Sequence, residues 1–267
     1  MKIKTSKSII YLKEYNNNKE IPFIFLHGFS GTSSSWINII NKHNKFSYSI
    51  DLPGHGKSTF VDISTEYTIN DWCNELYMIL NELSLKKINL CGYSMGGRLS
   101  IAFAHKFPEK INSLLLESTS LGLNESEVRS KRYYKDLERA DEINKDLKSF
   151  MDNWEENPLF INQKKRNVKE WQIQANERRN HNPKQLSKAL MAFSPSNMIY
   201  YDKPFQEFNF PIHVINGSGD DKYIKIGREM IRLNKNTKQY IIEDAGHNTH
   251  LENPDMFLDV LNQNIYE

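Results

Sequence analysis

Cysteine is scarce in this chain: among 267 residues only Cys73 and Cys91 occur, and no metal-ligand spacing surrounds either. That excludes a disulfide framework and argues against a thiolate metal centre. Both fall in segments that read as buried, Cys73 on a helical pattern and Cys91 on a strand, so reduced core thiols are expected. Long apolar runs are missing too. None approaches the ~18 residues of a membrane-spanning helix. The N-terminal stretch MKIKTSKSIIYLKEY carries lysines but lacks an apolar core of ~7–15 residues and a small-residue cleavage site, so a cytoplasmic location is expected. An excess of one charge is also absent. The 35 Lys and Arg against 33 Asp and Glu give a formal +2, and no basic block interleaves with aromatics. A nucleic-acid partner is therefore not expected, and any basic function must be local. Internal repeats and low-complexity linkers do not occur.

What the chain does have is rhythm. Short apolar runs recur at PFIFL (22–26), FSYSI (46–50), INLCGY (88–93), SLLLES (113–118), PIHVING (211–217) and QYIIED (239–244). Runs of this length and continuity suit strands buried on both faces of a parallel sheet. Between two of them, Trp72, Leu76, Ile79, Leu80 and Leu83 fall at three- and four-residue spacing, the stripe of a helix packed on such a sheet. The alternation predicts a doubly wound α/β core. It breaks off between Leu121 and Met198, where charged helical sequence rich in Lys, Glu, Asn and Arg takes over. The expected organisation is a core formed by residues 1–120 and 199–267, with residues 121–198 inserted as a helical cap. A cap over a sheet encloses a pocket between the two.

The stretch CGYSMGGR (91–98) places Gly-x-Ser-x-Gly between the strand INLCGY and the helical run RLSIAFAHKF. A serine there occupies a strained strand-to-helix turn, and small neighbours let strand and helix approach. Ser94 is the expected nucleophile or base. A serine hydroxyl needs a histidine, and the histidine an orienting carboxylate. Asp220, in INGSGDD after one strand, and His247, in EDAGHNTHLENP after the last, follow in the order Ser, Asp, His. Asp221 is the alternative acid. His250 competes with His247, but Ala245 and Gly246 suit His247 to a loop tip, and His250 reads as structural or as a pocket wall. The loop HGFSGTSSSW (27–36) can aim the Phe29 amide at the site. With the Met95 amide at the start of the next helix, it would form an oxyanion hole. His27 and His55, the latter in DLPGHGKS (51–58), read as loop-shaping residues. Arg98 follows Ser94 by four residues and shares its helix face, which brings a cation beside the reaction site.

HGFSG, DLPGHGKS, GYSMGGR, the helical insertion and AGHNTHLENP together cover almost the whole chain, and they resemble the α/β-hydrolase superfamily. Within it, GYSMGGR and the insertion resemble the 2-succinyl-6-hydroxy-2,4-cyclohexadiene-1-carboxylate synthases of menaquinone biosynthesis. RYYKD (132–136), WEENPLF (154–160) and Arg178 in ERRNHNPKQLSKAL match that family's R-x-x-x-D, W-x-x-x-P-x-F and R-x-x-N-x-P patterns. The resemblance implies carboxylate-binding roles for Arg98, Arg132 and Arg178, with Tyr93, Trp154 and Phe160 as pocket walls. Arg129 and Arg179 are the alternatives one alignment step away. The segments TSLGL (119–123) and AFSPSNMIYYDKP (192–204) depart from the family's commoner forms at the junction of core and cap.

The implied reaction is a lyase elimination that releases pyruvate from a small polycarboxylate, without metal or organic cofactor, in a monomer or weak homo-oligomer without a membrane partner. Arginine suits such a substrate because its planar fork binds carboxylates in bidentate fashion. A serine hydrolase acting on an ester or C–C bond of an acidic substrate would use the same Ser94, Asp220 and His247.

Overall fold

A computed structural model describes residues 1–18, 20–160 and 163–264. In chain order the elements are β1 (Lys2–Lys4), β2 (Ser8–Tyr15), β3 (Phe23–Leu26), α1 (Ile37–His43), β4 (Ser47–Ile50), β5 (Thr59–Phe60), α2 (Ile69–Glu82), β6 (Ile88–Tyr93), α3 (Met95–Lys106) and β7 (Ile111–Glu117). Among the described residues the helices α4 (Ser126–Lys145), α5 (Leu147–Glu155), α6 (Gln163–Arg166), α7 (Val168–Arg179) and α8 (Pro183–Ala192) follow. The sheet then resumes through α9 (Asp202–Gln206), β8 (Ile212–Gly217), α10 (Asp221–Leu233), β9 (Thr237–Ile242), α11 (Thr249–Glu252) and α12 (Pro254–Asn264).

The strands form one mostly parallel sheet in the order β1-β2-β4-β3-β6-β7-β8-β9, with β5 added on β2. All six runs read as buried strands are strands, and from β4 to β9 their pairing is parallel, but β9, at the sheet edge, buries only its two end residues. Every residue of β3, β4, β6 and β8 is buried, which is why these segments are continuously apolar or small. The sequence reading missed β1, β2 and β5. These pair antiparallel at one edge, where β2 buries alternate residues along its first half and so offers no continuous apolar run.

Helix α2 buries the predicted stripe of Trp72, Leu76, Ile79 and Leu80. It starts at a capping box in which Thr68 and Asp71 each accept the other's backbone N–H, two donors that the helix itself leaves unpaired. Leu83, the last of the stripe, is its C-cap. One apolar cluster joins α2 and α3 to the sheet, and a second packs Trp36, Ile39, Ile40, Phe257 and Leu261 on the other face. Cys73 and Cys91 are buried and free, and burial pushes the Cys73 thiol up to about 12. The inserted helices have an apolar centre of their own, with Ile143, Phe150, Met151, Leu186 and Leu190 meeting Phe29 and Trp154. The chain enters and leaves this insertion side by side, with the Tyr201 amide donating to the Leu121 carbonyl at 2.9 Å. Among the described residues no helix is long and apolar enough to cross a membrane.

Candidate active site

Four strands end on the same side of the sheet, and each is followed by a residue that the sequence singled out: β3 by Phe29, β6 by Ser94, β8 by Asp220 and β9 by His247. Carboxyl ends of parallel strands open outward and leave room for such a site. Ser94 stands at φ 52° and ψ −103°, in the left-handed half of the backbone map, which costs a residue with a β-carbon about 1–3 kcal/mol. Its turn is fastened from outside. The Ser94 amide donates to the Glu117 carbonyl at 2.9 Å, and Thr119 Oγ1 donates to the Ser94 carbonyl at 2.7 Å. The glycines around it permit close packing: a β-carbon on Gly92 would lie 2.5 Å from the Gly96 carbonyl oxygen, and one on Gly96 would lie 2.5 Å from that of Leu26. Both distances are far inside van der Waals contact.

Ser94 Oγ lies 3.2 Å from His247 Nε2, and His247 Nδ1 lies 2.7 Å from Asp220 Oδ2. An ionised carboxylate only accepts, so Nδ1–H donates to Asp220 and Nε2 is left to accept the serine proton. His247 and Asp220 are both buried, whereas Asp221 is exposed on the first turn of α10. The histidine loop is braced by Glu252, a residue the sequence reading passed over, which accepts from the amides of Gly246 and Asn248 at 2.8 and 3.3 Å. Met95 opens α3, so its N–H has no carbonyl of the preceding turn to meet.

The other histidines are held differently. His27 accepts from the Leu52 amide at 2.9 Å through Nε2, so its Nδ1–H donates to the Gly28 carbonyl at 2.7 Å. Burial lowers its pKa to about 4 and keeps it neutral. His55 is buried against His27 and His181. His250 bonds Glu117 and stacks on Trp36 at 3.9 Å between ring centroids.

A cavity of about 50 Å³ opens above Ser94, walled by Phe29, Tyr93, Trp154, Phe160 and Arg178. The aromatic walls touch one another and the imidazole: Trp154 meets Phe29 at 5.4 Å and Phe160 at 5.7 Å, and Tyr93 meets His247 at 5.5 Å. Arg178 is buried, and among the described residues its bonds are long, 3.3 Å to Glu155 and 3.4 Å to Gln174. Its neighbour Arg179 instead takes Glu155 and Asp152 at 2.7 and 2.6 Å, which leaves Arg178 under-committed beside the cavity. Arg98 reaches the Phe193 carbonyl at only 3.4 Å, and its Nε has no partner among the described residues. Burial, and then the charge of nearby Arg132, push the Arg98 guanidinium down to about 10. Arg132 is the most engaged of the three, donating to buried Asp136 at 2.7 Å. Arg129 bonds the Leu123 carbonyl.

A family model described as alpha/beta hydrolase fold matches residues 21–254. A protein of Bacillus subtilis (strain 168), provisionally named 2-succinyl-6-hydroxy-2,4-cyclohexadiene-1-carboxylate synthase, is 32% identical over 238 residues, covering 88% of this chain and 86% of that protein. This chain belongs to that synthase family, on the alpha/beta hydrolase fold. The solved structure of MenH from S. aureus superposes with a TM-score of 0.89 at 30% identity, covering 95% of this chain and 96% of that one. An enol-lactonase from Burkholderia xenovorans LB400 reaches 0.83 at 17% identity, covering 97% of each chain, and that likeness speaks for the fold alone.

Two further side chains near the cavity and His247 escaped the sequence reading. Arg139 donates to Asp136 at 3.0 Å and lies 5.1 Å from the centroid of the Trp154 ring. Its position one helical turn beyond Asp136 was the available signal. Tyr223 packs on His247 at 4.6 Å, and nothing in the local sequence marks it. Among the described residues no group of three or more His, Cys, Asp or Glu could hold a metal ion.

Proposed function

We propose that the chain eliminates pyruvate from 2-succinyl-5-enolpyruvyl-6-hydroxy-3-cyclohexene-1-carboxylate to give 2-succinyl-6-hydroxy-2,4-cyclohexadiene-1-carboxylate. The observation that carries this reading is the meeting of a serine–histidine–carboxylate chain with loosely paired Arg178 at one cavity, Arg98 and Arg132 lying outside its lining, in a member of the synthase family. Hydrolysis needs the serine chain alone. A substrate with several carboxylates also needs the cations.

In the proposed reaction Asp220 orients His247, and His247 raises the basicity of Ser94. A ring proton of the substrate is removed, the bond between the ring carbon and the enolpyruvyl oxygen breaks with its electron pair going to oxygen, and the departing enolate takes up a proton at its methylene carbon to become pyruvate. The ring proton passes to His247, where Asp220 offsets the imidazolium charge, and His247 returns to neutral by giving up one proton as the enolate takes one up. Negative charge that develops on a substrate oxygen meets the Phe29 and Met95 amides. Arg98, Arg132 and Arg178 hold the carboxylates, and Tyr93, Trp154 and Phe160 exclude water from the ring.

The test is pyruvate release from freshly prepared substrate by wild type, Ser94→Ala and Arg98→Ala. Rapid release that is lost in the first variant and strongly weakened in the second supports the reading. Release at the spontaneous rate by wild type overturns it, and hydrolysis of acidic esters then becomes the assay.

A further inference from the structure

The loop that carries Phe29 is fastened to the cap as well as to the sheet. Ser30, the next residue, sits at φ 61°, a conformation that a residue with a β-carbon disfavours. Its carbonyl oxygen lies 2.8 Å from His181 Nε2, while the Gly56 amide lies 3.1 Å from His181 Nδ1. A backbone N–H can only donate, so Nδ1 holds the lone pair and Nε2–H is given to Ser30. One buried imidazole, just beyond the end of α7, thus spans the two glycine-containing loops of the core. Burial lowers the pKa of His181, in keeping with the neutral form that this double role requires.

A second fastening lies four residues earlier. Glu177 Oε2 accepts from Thr32 Oγ1 at 2.9 Å and from Ser34 Oγ, both on the same loop. Between the two fastenings, Arg178 faces the cavity. One end of α7 therefore holds an anion-binding arginine and both ties to the loop.

We infer that His181, seconded by Glu177, is a positioning residue that sets the Phe29 amide for charge stabilisation, which makes the cap part of the reacting machinery as well as a cover. The inference rests on the role given to Phe29 in the proposed function. Without the imidazole, Ser30 is free to leave its strained conformation, and the Phe29 amide, one peptide unit upstream, loses the anchor that fixes its place. Losing an oxyanion donor outright lowers kcat by about 10²–10³, and misplacing one costs less.

The experiment compares wild type, His181→Leu, His181→Gln and Glu177→Ala by steady-state pyruvate release, thermal unfolding and amide hydrogen exchange over residues 28–34. His181→Leu is expected to lose about 10–100-fold in kcat with KM within about threefold. His181→Gln, whose amide supplies one donor and one acceptor, should recover most of that loss. Wild-type kcat in His181→Leu overturns the inference. So does a change in KM alone, or a Gln variant as slow as the Leu variant, since both point to packing. If His181→Leu does not fold, Glu177→Ala decides: a several-fold fall in kcat supports the clamp and an unchanged kcat removes it. Exchange separates this inference from the functional reading. Faster exchange confined to residues 28–34 in the His181 variants supports the clamp even if wild type releases no pyruvate, and unchanged exchange overturns it.

Discussion

His247 and His250 lie three residues apart, both buried, and each holds a buried carboxylate through Nδ1: Asp220 at 2.7 Å and Glu117 at 2.6 Å. Their surroundings differ beyond that point. Both rings meet Tyr93, but His247 presents Nε2 to Ser94, and its ring also meets Phe160 and Tyr223. His250 lies flat on Trp36, its Nε2 has no partner among the described residues, and Glu117 also takes the Thr249 hydroxyl and the His250 amide. A carboxylate–imidazole pair is therefore a common construction part. What the second nitrogen touches decides whether the pair can serve chemistry or only hold a loop.

The sharpest way to break this comparison is to remove the charge from each pair. Asp220→Asn is expected to lower kcat for pyruvate release by roughly 10⁴-fold, because an amide lets the imidazole take the wrong tautomer. Glu117→Gln should leave the rate within about tenfold of wild type. Similar losses in both would mean that the pairs act as one unit. A second, smaller contrast sets Arg178→Ala against Arg179→Ala. The first removes a guanidinium beside the cavity and is expected to cost about 2–4 kcal/mol in kcat/KM, whereas the second should act mainly on stability, through Glu155 and Asp152. Equal KM values for the two variants would sink the assignment of Arg178.

Glu117→Gln carries a prediction of its own. Three donors converge on that carboxylate, so replacing one of its oxygens with an amide nitrogen should cost about 1–3 kcal/mol in urea unfolding. A third buried histidine extends the comparison, since its ring bonds no carboxylate: His27, with a pKa near 4 against an ordinary 6.5. A folded-state pKa below the unfolded one means that the unfolded chain binds the extra proton first. This contribution to stability is thus complete above the ordinary value and is lost as pH falls from 6.5 toward 4. At about pH 5.5 the expected loss from this residue alone is ~1 kcal/mol. Urea unfolding of wild type and His27→Gln at neutral and acidic pH measures it, and equal acid losses in the two proteins would show that His27 plays no part.

Much of this was legible without coordinates. The central parallel strands announced themselves because each is buried on both faces, and the strand–serine–helix setting followed from the glycines that such a turn demands. The antiparallel edge formed by β1, β2 and β5 was invisible to the same search, because a strand with one wet face carries only half the signal. Arg178 and Arg179 are indistinguishable as letters. They separate only when α7 turns one toward the cavity and the other toward Asp152 and Glu155. Asp220 and Asp221 separate in the same way, one buried on His247 and one in solvent. His181 and Glu177 carried no sequence signal because their partners lie some 125 to 151 residues away along the chain.

The sequence by itself determined the layered α/β fold and the residue types at the ends of the strands, since periodicity and turn chemistry are local properties that neighbours in the chain enforce. Tertiary structure alone decided that α7 turns Arg178 toward the cavity and Arg179 toward Asp152 and Glu155, and that His181 and Glu177 grip the loop bearing Phe29. These depend on direction and distance between remote segments, and only the packed molecule fixes those.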